Sequence, residues 1–88
     1  MAQTLKMPAF LTKLSKAIGD AMPGCEIEVE KVKGTNRYRM GVLWKGFPRT
    51  AVVRRQERVW KIARKVLTDE ELLRVSMILT LRPDELAD

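Results

Sequence analysis

The sequence predicts a small α+β domain, with elements in the order helix, strand, strand, helix, helix, strand. It also predicts a three-stranded mixed sheet with helices packed on one face. Three observations carry that expectation. Residues 8–22 and 50–67 repeat apolar side chains at helical spacing. Residues 25–32 and 37–44 alternate apolar and polar side chains on either side of a Gly-containing turn. Residues 75–81, VSMILTL, form an apolar run that is short for a helix and contains branched residues. The 88 residues make one domain, 1–88, with a loose terminus over 1–7. A domain of this size buries only ~60% of its unfolded surface, so its helices must lean on the sheet.

In the first helix Pro8 suits the opening turn, where its missing N–H is no loss. Phe10, Leu11, Leu14, Ile18 and Met22 then share a face. Met22-Pro23-Gly24 ends it, because Pro cannot continue a helix and Gly accepts a left-handed turn. In the first strand Cys25, Ile27 and Val29 oppose Glu26, Glu28 and Glu30. Lys33-Gly34-Thr35-Asn36 is the turn. In the second strand Tyr38, Met40, Val42 and Trp44 oppose Arg37 and Arg39, which places arginines across the hairpin from glutamates.

The next helix, 50–67, is expected to be capped by Thr50. Its apolar residues are Val52, Val59, Ala63 and Val66, widened by Val53, Trp60, Ile62 and Leu67. Arg54, Arg58, Lys61 and Lys65 recur at i, i+4, i+7 and i+11 and line a second face. Thr68 and Glu71 fit a capping box that starts a short helix over 69–74. In the last strand, simple alternation places Val75, Met77, Leu79 and Leu81 on one side and Ser76, Ile78 and Thr80 on the other. Pro83 starts a final turn over 83–86.

The formal net charge is +6, and its source is local. From Lys45 to Lys65 the chain carries eight cations and one anion, Glu57, while the remainder is close to neutral. Such a segment implies an acidic partner: nucleic acid, an anionic membrane surface or an acidic protein. It is equally the composition of a solvated helix face. The single cysteine, Cys25, cannot form an intramolecular disulfide and fits a reducing compartment. The N-terminal MAQTLKMPAF lacks a signal-peptide h-region, and no apolar run is long enough to span a membrane. A cytoplasmic protein without a membrane segment is expected.

The element order is that of the KH-like class, and several short stretches resemble the BolA family. Trp44-Lys45-Gly46 matches an aromatic-x-Gly before the central helix. Arg55-Gln56-Glu57-Arg58-Val59-Trp60 matches a basic segment ending in an aliphatic–aromatic pair. Met77 to Glu85, MILTLRPDE, matches an apolar strand running into a Thr/Arg-Pro-x-Glu corner. The resemblance covers about residues 10–86 and implies a BolA/KH-like domain acting as a small regulatory module. It also implies two partner classes, nucleic acid through a helix-turn-helix or a monothiol glutaredoxin-like protein sharing an iron–sulfur cluster. The family's histidine positions fall on Gln56 and Arg74, and this chain contains no His. An arginine does not ligate iron, so no His-ligated cluster is expected.

Nucleophile–base pairs usually need His, and one Cys among scattered carboxylates matches no metal-ligand spacing. No enzyme activity, cofactor or metal is therefore expected, and Cys25 reads as a core residue. The junction between the second and third helices has no Gly, which removes the Gly-x-x-Gly grip of KH domains. Trp44 and Trp60 fall on apolar faces and read as core, and Gln56 is the one candidate for reading a base edge. The residues expected to meet nucleic acid or an acidic partner are Arg49, Arg54, Arg55, Arg58, Lys61, Arg64, Lys65 and Arg74.

Overall fold

The computed structural model of the protein describes residues 7–49 and 51–85. Helix α1 (Ala9–Ala21) leads into strand β1 (Glu26–Lys31) and strand β2 (Tyr38–Leu43). Helix α2 (Val52–Val66), short helix α3 (Asp69–Leu73), strand β3 (Val75–Leu81) and a 3-10 turn (Pro83–Glu85) follow. Every expected element is present. The Thr50 cap and the end of the last turn at Leu86 lie outside the described residues. The residue at the α2 N-cap is Ala51, which contributes no side-chain hydrogen bond.

The sheet order is β1-β2-β3. β1 and β2 are antiparallel, with Glu30 opposite Arg39, and β3 runs parallel to β2. Gly34, at φ +81°, makes the hairpin turn possible. The Arg39 guanidinium lies 3.5 Å from the Glu30 carboxylate, an exposed pair worth a few tenths of a kcal/mol.

The helices cover one face of the sheet. Phe10, Leu11, Leu14 and Ile18 from α1 meet Met40 and Val42 of β2, Val59 and Ala63 of α2, and Val75 and Ile78 of β3 in one buried cluster. Such a cluster is what orders a chain of this length. Thr68 accepts from the Glu71 N–H at 3.1 Å while the Glu71 carboxylate accepts from the Thr68 N–H at 2.9 Å, so the capping box forms as expected. That carboxyl is held below its usual range by the backbone N–H it accepts, with Lys13 nearby.

Simple alternation does not hold in β3. Tyr38 pairs with Val75 but Arg39 pairs with Met77, so Ser76 is an extra residue in a bulge. The bulge turns Val75 to the helix side together with Ile78 and Thr80. Met77 and Leu79 are left on the open side, 44% and 45% exposed.

Candidate nucleic-acid interface

Helix α2 is the basic element, and its phase sorts its cations. At about 100° per residue, Arg54, Arg58, Lys61 and Lys65 fall within roughly 60° of arc, opposite the buried Val59 and Ala63. All four are exposed, and none makes an ion pair among the described residues. Arg64 is also exposed but lies on the flank, towards Glu57. The Arg58 guanidinium sits 5.2 Å from the centre of the Trp44 ring. That indole is itself fixed, since its N–H donates to the Pro23 carbonyl at 2.9 Å. Gly46 keeps the indole in place, because a methyl there would come within 2.5 Å of the ring. The aromatic-x-Gly signature thus has a packing cause.

Three of the eight expected contact residues are engaged within the protein. Arg55 is buried, 2% exposed, and cannot reach a partner. Its five N–H groups make five hydrogen bonds. Nε donates to the Pro48 carbonyl at 2.8 Å. Nη1 donates to Glu85 at 2.8 Å and to the Thr80 carbonyl at 3.3 Å. Nη2 donates to Glu85 at 2.9 Å and to the Arg49 carbonyl at 3.1 Å. Glu85 also accepts from the Arg82 N–H at 2.8 Å.

The Arg55 fork, followed by the Arg82 N–H, holds the Glu85 carboxyl down at about 2. The same carboxylate raises Arg55 above its ordinary value. The Arg-Pro-x-Glu corner is therefore a clasp that binds the chain's last turn to the start of α2. The cue lay in the helix phase, because Arg55 precedes Val59 and Ala63 by four and eight residues and so shares their face.

Arg49 pairs with Asp84 at 3.0 Å, although its side chain stays 71% exposed. Arg74 is half-buried over the rings of Phe10, at 4.8 Å, and Tyr38, at 5.7 Å, and its Nε donates to the Asn36 carbonyl at 2.9 Å. It stabilises the junction of α1, the hairpin turn and β3.

Gln56 is engaged within the protein. Its side-chain amide donates to the Ile78 carbonyl at 2.7 Å and accepts from the Trp60 indole N–H at 3.1 Å. Gln56 and Arg55 thereby satisfy the outward carbonyls of edge strand β3. Both tryptophans are half-buried and pack against the core, with their N–H groups already bonded. Helix α3 has five residues, and Asp69, Glu70 and Glu71 occupy its first turn, so it would repel a phosphate backbone. Any helix-turn-helix grip reduces to α2 alone.

Cys25 is half-buried, and burial pushes its thiol up, the reverse of an activated thiolate. Among the described residues no three of His, Cys, Asp or Glu converge to hold a metal. No helix among them is long and apolar enough to cross a membrane.

The sequence matches no protein-family model. No curated protein matches it either. Among solved structures it is similar to BolA1 from Arabidopsis thaliana, with a TM-score of 0.66 and 16% identity over 90% of this chain and 98% of that one. The domain has a BolA-like fold, and at that identity the likeness is one of architecture.

Proposed function

We propose that this chain is a small, non-enzymatic binding module of the cytoplasm that grips nucleic-acid phosphates weakly through α2. One observation carries the reading: Arg54, Arg58, Lys61 and Lys65 form an exposed stripe that no carboxylate among the described residues neutralises. Successive cations rise about 6, 4.5 and 6 Å along the helix. The stripe thus extends about 16.5 Å along the helix, long enough to meet several phosphates of one strand, which follow one another every ~3.4 Å along a duplex axis. Gln56 and both indoles are engaged elsewhere, so the face offers its cations alone. The binding is then electrostatic and sequence-independent, with a dissociation constant of roughly 10⁻⁴–10⁻⁶ M.

Four phosphate contacts give a slope of log affinity on log salt of about −3.6 on duplex DNA, or about −2.8 on a single strand. Anisotropy titrations of labelled oligonucleotides across salt concentrations measure that slope. Arg54→Ala with Arg58→Ala is expected to flatten it by about 1.8 on duplex. No binding even at about 50 mM salt would sink the proposal. Complex formation with a purified monothiol glutaredoxin under the same conditions would then favour the adaptor reading.

A further inference from the structure

The side of the sheet away from the helices is uncovered, and its chemistry differs from that of α2. Gly41, at the middle of β2, contributes no side chain and leaves a trough. Met77 and Leu79 of β3 stand exposed along one side, and the half-buried Leu43 and Leu81 close one end. Two adjoining depressions meet there and share Glu28, Gly41 and Leu79. Along the other side run Glu26, Glu28 and Glu30 of β1, all exposed. Arg39 answers Glu30, whereas Glu26 and Glu28 have no ion-pair partner among the described residues. An apolar seam beside a row of unanswered carboxylates marks a contact surface.

We infer that this open face docks a cationic amphipathic helix from a partner protein, with apolar residues against Met77 and Leu79 and cations against Glu26 and Glu28. Three strands at about 4.8 Å spacing present a surface about 10 Å across, the width of one helix. Glutamates two residues apart on a strand stand about 6.8 Å apart, and helix residues four apart rise 6.0 Å, so Lys or Arg at i and i+4 meets adjacent carboxylates. A second copy of this chain fits less well. Its own α2 has the cations, but the arc from Arg54 to Lys65 has no apolar ridge, and seating it here would press guanidinium groups onto hydrocarbon. Stacking two sheets face to face would bring a second row of glutamates to the same seam.

The test uses the full chain and an amidated Leu/Lys peptide of about 18 residues patterned as an amphipathic helix. A Leu/Glu peptide of the same pattern is the control. Amide chemical shifts are expected to move at Gly41, Leu43, Met77 and Leu79 with the Lys peptide and not with the Glu peptide. Met77→Gln with Leu79→Gln is expected to weaken binding about tenfold, and Glu26→Gln with Glu28→Gln to weaken it and reduce its salt dependence. All four side chains are exposed, and circular dichroism confirms that the variants stay folded. Equal binding of the Glu peptide, shifts confined to α2, or affinity unchanged in both variants would each overturn the inference. So would self-association without peptide that Leu79→Gln abolishes in sedimentation, since a second copy would then be the occupant.

Discussion

Arg55 and Arg58 are three residues apart on one helix and belong to different parts of the molecule. Arg55 lies at 2% exposure with all five donors bonded, clasped by the last turn of the chain. Arg58 stands in solvent over the Trp44 ring, on the stripe with Arg54, Lys61 and Lys65. The same residue type thus holds the fold at one position and faces solvent at the other, and the phase of the helix decides which. Net charge alone would count both as binding groups. The comparison teaches that a basic segment must be divided by burial before its charge is assigned to a function.

The largest effect expected from this contrast follows Arg55→Leu. The change leaves the Glu85 carboxylate and the Pro48, Arg49 and Thr80 carbonyls without their shared donor. Glu85 keeps contact with solvent, so the cost lies in the acceptors stranded beside the buried Arg55 site, about 1–3 kcal/mol for each that water does not reach. For a domain of this size each kcal/mol lowers the melting temperature by about 4–8 °C. Adding Glu85→Gln is expected to recover part of the loss, because the orphaned charge is then gone. A loss under about 1 kcal/mol in Arg55→Leu would show that the clasp does not hold the fold.

A second way to sharpen the contrast is acid. The folded Glu85 carboxyl lies at about 2, below its ordinary 4.5. A depressed carboxyl contributes stability in full above its unfolded value, and that contribution is lost as pH falls through the folded one. The loss attributable to Glu85 therefore falls between about pH 4.5 and 2. Glu71, also held below its ordinary value, adds to the same limb. Chemical denaturation from pH 6 to about 2.5 is expected to show a shallower decline for Glu85→Gln than for the parent chain. Parallel declines would mean that the Arg55 fork does not hold the carboxylate ionised.

Sequence periodicity located α1, β1, β2 and α2, because each of those buried faces repeats at the spacing of its own secondary structure. Residues 75–81 were legible as a strand to the residue, and the Thr68–Glu71 capping box was legible from type and spacing alone. Two features were not. The bulge at Ser76 arises from how β3 registers against β2, a long-range property that local alternation does not encode. The Arg55–Glu85 clasp joins residues thirty positions apart, so the corner motif and the basic segment read as separate signatures. At the candidate interface the stripe of four was legible from spacing. Arg49, Arg55 and Arg74 were grouped with it by charge; helix phase sets Arg55 apart, whereas only their partners, Asp84 and the Phe10–Tyr38 rings, separate Arg49 and Arg74.

The smallest expected effect divides packing from charge within the stripe itself. Arg58 is exposed, and its stacking on Trp44 is worth about 0.5–1 kcal/mol. Arg58→Ala is expected to lower stability by no more than that and to reduce the salt slope of oligonucleotide binding by about 0.9. Arg58→Lys keeps the charge but loses the planar stack, so its salt slope should match the parent while a fraction of the stability loss remains. Thermal unfolding and the salt titration on the two variants separate the contributions. Should Arg58→Ala unfold the domain as Arg55→Leu does, the two edges of α2 would not be distinct. The stripe would then be a structural girdle, and its exposure would carry no functional meaning.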